Sequence, residues 1–246
     1  EAEPLYKRSL AIDERVYGPD HPEVATDLNN WAGLLRAQGK YVKAEPLYGR
    51  SQAIQEKVLG PEHPGVATTL YQRARLLKAQ GKYDEAEPLY KRSLAIGEKV
   101  HGPGHPLIAT VLYFFGELLK SQGRYDEAAP MYVRAVEMDE KTLGPHHPDL
   151  ATILNGRAQL LKLQGNYADA RQLLERALTI REKFLGPEHP AVAESLNDRA
   201  VLCEKQGNYI DAESLCERSQ AIREKVLGPE HPDVAQSLNT RAELLR

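Results

Sequence analysis

Six histidines stand 42 residues apart in this 246-residue chain: His21, His63, His105, His147, His189 and His231. Imidazole is a common metal ligand and titrates near neutral pH, so such a row invites a metal or acid-base reading. Geometry opposes it. Packed helices lie about 8–10 Å apart, whereas zinc holds its donors about 2.0–2.1 Å from one centre, so successive layers cannot share an ion. Each histidine also sits between a Gly-Pro turn and a second proline, as in Gly18-Pro19-Asp20-His21-Pro22. The row therefore reads as loop and helix-cap residues, with no metal and no cofactor implied. Elsewhere the chain has no glycine-rich phosphate loop, no Gly-x-Ser-x-Gly elbow, no His-Glu-x-x-His and no carboxylate pair standing apart from the repeat. No catalytic residue is assigned, and the chain reads as a binding protein without enzymatic activity.

Repeated polar and aromatic positions are better suited to binding. Thr26, Asn29, Gly33 and Arg36 share one helical face by their spacing of three, four and three. Following the asparagine position along the chain gives Asn29, Tyr71, Tyr113, Asn155, Asn197 and Asn239. Such a row either hydrogen-bonds an extended peptide backbone or is a solvated face; asparagine is a poor helix former, which favours a reason for its presence. The row of Arg36, Lys78, Lys120, Lys162, Glu204 and Arg246 could attract carboxylates, although basic residues in a last helical turn also complement the helix dipole. Arg75 adds a cation in the same region of the second copy. Leu112-Tyr113-Phe114-Phe115 places three aromatics in succession, and at least one should be exposed as an anchor, with Tyr113, Phe114 and Tyr71 as the candidates.

The elements that must position these residues follow from the period. Val24, Leu28, Ala32 and Leu35 fall on one stripe of a helix, here called A, that opens at Pro22 and closes at Gly39. The stripe Ala44, Leu47, Tyr48, Ser51, Ile54 and Val58 marks a helix B that ends at Gly60-Pro61. Its start is placed near Asp84 and Asp126, with Asp84 and Glu87 as a reciprocal cap and Pro46, Pro88 and Pro130 in the opening turn. Small residues recur on both helices, at Ala32 and Ala44 and their equivalents, where the two approach closely. Connections of about four residues make each pair an antiparallel hairpin. The expected organisation is one array over 1–246: an unpaired helix B at 1–17, pairs at 22–59, 64–101, 106–143, 148–185 and 190–227, and an unpaired helix A at 232–246. Both ends lack a polar capping element, so the chain reads as part of a longer array.

A net charge of −3 gives no overall basic field for nucleic acid or anionic lipid. No apolar run approaches the roughly 20 residues of a membrane helix. Cys203 and Cys216 occupy places filled elsewhere by apolar or aromatic residues and read as reduced thiols, which suits a cytoplasmic protein.

Leu28-Asn29-Asn30, Ala32, Leu35, Gln38-Gly39-Lys40-Tyr41, Ala44-Glu45-Pro46-Leu47, Ile54 and Glu56-Lys57-Val58-Leu59-Gly60, followed by His63-Pro64, resemble the tetratricopeptide repeat (TPR) in its 42-residue kinesin light chain form, over the whole chain. Arg73, Arg157, Arg199 and Arg241 depart from the family's apolar preference, kept here as Trp31 and Phe115; each arginine can lay its stem on the core edge. No heptad segment of the kind that joins a light chain to its motor is present. The resemblance implies an all-α protein, an α-solenoid winding as a right-handed superhelix of antiparallel helix pairs, with helix A lining a concave groove. Thr26, Asn29, Arg36, Tyr71, Arg75, Lys78, Tyr113, Phe114, Lys120, Asn155, Lys162, Asn197 and Asn239 would then face a peptide or helix of a partner protein. Two alternatives remain: a spacer or self-assembling array, or a ligand-sensing region of a larger protein. In the self-assembling case Leu5 and Ile12 of one copy would meet Leu238, Ala242 and Leu245 of another, head to tail.

Overall fold

The computed structural model describes residues 2–244, and among these it has twelve helices and no strand. The chain divides into two compact units, Glu1–Gly123 and Arg124–Arg246. The first holds α1 (Ala2–Tyr17), α2 (Pro22–Ala37), α3 (Tyr41–Leu59), α4 (Pro64–Ala79), α5 (Tyr83–His101) and α6 (Pro106–Ser121). The second holds α7 (Tyr125–Thr142), α8 (Pro148–Leu163), α9 (Tyr167–Leu185), α10 (Pro190–Lys205), α11 (Tyr209–Leu227) and α12 (Pro232–Leu244). Within each unit, consecutive helices stack: α2 on α3 and α4 on α5 in the first, α8 on α9 and α10 on α11 in the second.

The repeated histidine starts every helix A. Nδ1 of His63 accepts the N–H of Gly65 at 3.1 Å, and Pro64 fills the first helical position, where its missing N–H is no loss. His21, His105, His147, His189 and His231 do the same. Replacing His63 by alanine is expected to cost about 1 kcal/mol in urea denaturation. Unchanged stability would mean that the proline alone sets the helix start. At the far end of α2, Gly39 turns at φ 71° while the Lys40 N–H bonds the Leu35 carbonyl at 2.8 Å. A side chain there would be strained.

Helix B begins earlier than the sequence suggests. Lys82 is the N-cap of α5 and makes no side-chain cap bond, so Asp84 with Glu87 is not a reciprocal cap. The glycine turn delivers the chain straight into the helix at Tyr83, and Asp84 and Glu85 instead lie in the first turn, beside its unsatisfied N–H groups. In the second unit Asn166 and Asn208 do cap, accepting from the N–H groups of Asp169 and Asp211. The early start also moves Pro46, Pro88 and Pro130 from the opening turn to the second. The carbonyl that each proline leaves unbonded belongs to Val42, Asp84 or Asp126, all exposed to solvent.

The core follows the two stripes. Val24, Leu28, Ala32 and Leu35 of α2 are buried, as are Ala44, Tyr48, Ser51 and Ile54 of α3. Val58, assigned to the same stripe, is 48% exposed. α3 is three residues longer than α2, about 4.5 Å, so its last turn overruns its partner. Polar ties join three of the pairs: Ser51, Ser93 and Ser219 donate to the carbonyls of Ala25, Ala67 and Ala193 at 2.6–2.7 Å. These buried hydroxyls are satisfied and fix the helix register.

Candidate peptide-binding faces

In the first unit, α4 and α6 bring together the aromatic and basic residues singled out in the sequence. The Arg75 guanidinium lies 3.8 Å over the Phe114 ring, and Tyr71 stacks on the same ring at 6.4 Å between centroids. Gln72 donates to the Tyr71 hydroxyl at 2.9 Å and accepts from Arg75 at 3.2 Å. Tyr113 meets Phe114 edge-on at 5.0 Å. Phe115 is buried and stacks on Tyr90, while Tyr113 and Phe114, the aromatics expected to be exposed, are both half-buried. A guanidinium, not solvent, covers Phe114, because a cation over a ring face gains from the ring quadrupole.

The electrostatics of this face are unbalanced. Burial and the nearby Arg36 lower the pKa of Arg75, and burial lowers that of Lys78. Glu117 partly offsets Lys78 at 3.7 Å and Lys120 at 2.6 Å. Arg36 and Arg75 make no ion pair among the described residues. Around them, the Tyr90 hydroxyl and Arg36 Nε are buried without hydrogen-bond partners, and the buried Tyr48 hydroxyl faces Arg36 and has no acceptor. Burial raises the pKa of Tyr48, Tyr71 and Tyr90, so all three phenols stay protonated. The unsatisfied atoms of this region are thus able to donate, and they surround two unpaired cations.

The asparagine row does not share one environment. Asn29 is half-buried, Asn155 and Asn197 are buried and Asn239 is exposed. Thr26 is exposed and donates back to the Pro22 carbonyl at 3.2 Å. Lys162 is half-buried. In the second unit, Asn155 donates to Asp198 at 3.4 Å. Burial, helped by Glu194, raises the Asp198 pKa to about 6. Neither acid was singled out from the sequence. The signal was a break in the rows: Glu194 stands where Thr26, Thr68, Thr110 and Thr152 do, and Asp198 follows Asn30, Gln72, Phe114 and Gly156. The tyrosine hydroxyls left no such trace, since a tyrosine on a core stripe reads as packing.

Of the departing arginines, Arg73 bonds Gln52 at 3.1 Å, Arg199 pairs with Glu175 at 3.2 Å and Arg241 pairs with Glu217. Cys216 is buried and Cys203 half-buried, both as free thiols. Leu5, Ile12, Leu238 and Ala242 are exposed; Leu245 and Arg246 lie outside the described residues. Among the described residues no group of three or more histidine, cysteine or acidic side chains could hold a metal ion, and no helix is long and apolar enough to cross a membrane.

Stacked helix hairpins with a 42-residue period define a tetratricopeptide repeat array, and the chain belongs to that family. The tetratricopeptide repeat profile matches residues 27–99, 71–141, 116–183, 149–213 and 191–246, and a second profile of the same description matches 1–23. Among solved structures, the chain is similar to the nearly identical TPR-like repeats of kinesin light chain type from Podosopora anserina, at 27% identity and a TM-score of 0.69, covering 83% of this chain and 97% of that one. BtubC (BKLC) from P. vanneervenii shares the fold at 20% identity and a TM-score of 0.79, over 94% of this chain and 92% of its own. YrrB, a TPR protein with an unusual peptide-binding site, shares it at 16% identity and a TM-score of 0.51, over 94% and 98%. A comparison with curated proteins found no match.

Proposed function

We propose that this chain is a non-enzymatic protein-interaction scaffold, one repeat array over 1–246, whose first unit takes an extended peptide on the face carrying Arg36, Tyr71, Arg75 and Phe114. Family membership supports the class, and so does YrrB, a TPR protein of similar fold with a peptide-binding site. The observation that carries the reading is the unpaired Arg36 and Arg75, set among buried hydroxyls that lack acceptors. An acidic side chain or terminal carboxylate of a peptide supplies what these groups lack, and the ring of Phe114 holds the Arg75 fork in place. Lys78 and Lys120 extend the basic region, with Tyr113 beside Phe114.

A peptide array compares the native chain with Arg75→Ala and with the Arg36→Ala/Arg75→Ala pair. Acidic peptides are expected to dominate the bound set, with affinity about tenfold weaker in Arg75→Ala, or about 1.4 kcal/mol. Undiminished binding by the double variant would remove this face from consideration.

A second reading rests on apolar exposure. Leu5 is 68% and Val16 60% exposed on α1, and Leu238 is 46% exposed on α12. Two copies joining α12 to α1 would cover them in a contact that propagates head to tail. Sedimentation over a wide concentration range tests it, and a monomer at every concentration refutes it.

A further inference from the structure

The second unit carries a cleft of opposite polarity to the first. It has a volume of about 470 Å³ and is lined chiefly by Gln159, Glu194, Asn197, Asp198, Arg223 and Gln236. α8, α10, α11 and α12 all contribute. Asp198 has no salt-bridge partner among the described residues; it is hydrogen-bonded by neutral amides, Asn155 at 3.4 Å and Gln159. Asn197, on the cleft wall, is only 7% exposed, and its Oδ1 has no donor. Asn155, 5% exposed, directs its amide group at Asp198, which leaves its own Oδ1 without a donor as well.

Two of the nearby cations, Arg181 and Arg223, are already engaged. Arg181 bonds the Ala191 carbonyl at 2.9 Å, the Ser195 hydroxyl at 2.8 Å and Glu194 at 2.9 Å. Arg223 bonds the Asp233 carbonyl at 2.7 Å and the Ser237 hydroxyl at 2.9 Å, with Gln236 at 3.3 Å. Lys162 of α8 and Arg181 of α9 act on Asp198 only at a distance, with no ion pair to it among the described residues. An unpaired carboxylate flanked by two buried carbonyl oxygens without donors lacks a group rich in N–H bonds and positive in charge. A buried acceptor left unsatisfied costs about 1–3 kcal/mol, which such a group would recover on entering.

We infer that the Asp198 cleft is a second recognition site, which binds a lysine or arginine side chain of a partner polypeptide between Asp198 and the Asn155 and Asn197 carbonyls. Glu194 at the rim, 60% exposed, steers the cation inward. The site extends the scaffold reading without depending on the acidic-peptide face of the first unit: the two sites sit on different units, and each is read by its own residues.

The test uses the full chain, labelled with nitrogen-15, and blocked hexapeptides of sequence Gly-Ser-Arg-Arg-Ser-Gly, with citrulline or glutamate in place of arginine in two controls. The arginine peptide is expected to shift the side-chain amide signals of Asn155, Asn197 and Gln236, and the citrulline peptide to bind at least tenfold more weakly. Asp198→Asn is expected to weaken the arginine peptide at least tenfold, with helicity retained and acidic peptides bound as before. The inference is overturned if the arginine peptide fails to bind at millimolar concentration, if citrulline or glutamate peptides bind as well, or if Asp198→Asn leaves affinity unchanged. Loss of acidic-peptide binding in Arg75→Ala with these results intact would confine any failure to the first unit, and the reverse pattern would confine it to the second.

Discussion

Leu70→Ala is expected to destabilise the first unit by about 2–5 kcal/mol. Leu70 is fully buried in α4 and packs with Val66, Ala67 and Ile96, with Leu89 and Leu107 at the edge of the cluster. Truncation removes three carbons of transfer energy and leaves a cavity that backbone helices on both sides cannot collapse to fill. Because each hairpin of a repeat array is held chiefly by its neighbours, the loss should be local. Urea denaturation gives the magnitude, and hydrogen exchange gives the place: amides of α4 and α5 should exchange first. A cost below about 1 kcal/mol would show that the site relaxes, contrary to a core packed at solid density.

Replacing both Asp139 and Asp198 by asparagine should stabilise the second unit at neutral pH and flatten part of its pH dependence. Both carboxyls have pKa values raised to about 6, Asp139 by burial and the nearby Asp149, Asp198 by burial and Glu194. Their ordinary value is near 3.8, so between about pH 4 and 6 the folded state binds more protons than the unfolded state. Stability contributed by these groups is therefore highest at and below about pH 4 and falls as the pH rises to about 6. With partial solvent screening, each ionised carboxylate costs about 2 kcal/mol of stability at pH 7. The measurement is the difference between variant and parent stability at pH 5 and pH 7, in which the histidine caps common to both cancel. A gain equal at the two pH values would contradict the assignment. The same change tests the cation cleft in the opposite sense: Asp198→Asn should fold more tightly while binding an arginine peptide less well, a pairing that loss of structure cannot produce.

Each histidine-proline start, each positive-φ glycine and each stripe such as Val24 to Leu35 was legible because its cause lies within one period. Capping, chain reversal and helical periodicity are local, and 42-residue repetition supplied several copies of every signal. The errors arose where local rules compete. An aspartate three residues before a glutamate suggested a cap at Asp84, but the glycine turn before Lys82 had already set the helix start. Val58 continued an apolar stripe that its shorter partner helix does not cover.

The sequence by itself determined the helix pairs, their order and the family, since spacing alone dictates which residues share a face. It also pointed to Tyr71, Arg75, Tyr113 and Phe114 as a region of interest. Only the tertiary structure decided that a guanidinium covers Phe114, that Tyr48 and Tyr90 bury hydroxyls without acceptors, and that Asn155 and Asn197 leave the solvent while Asn239 does not. Burial and hydrogen-bond satisfaction depend on which side chains from different helices converge, and identical positions in successive repeats meet different neighbours. The polarity of a binding face is therefore a property of packing, which a repeat in sequence does not carry.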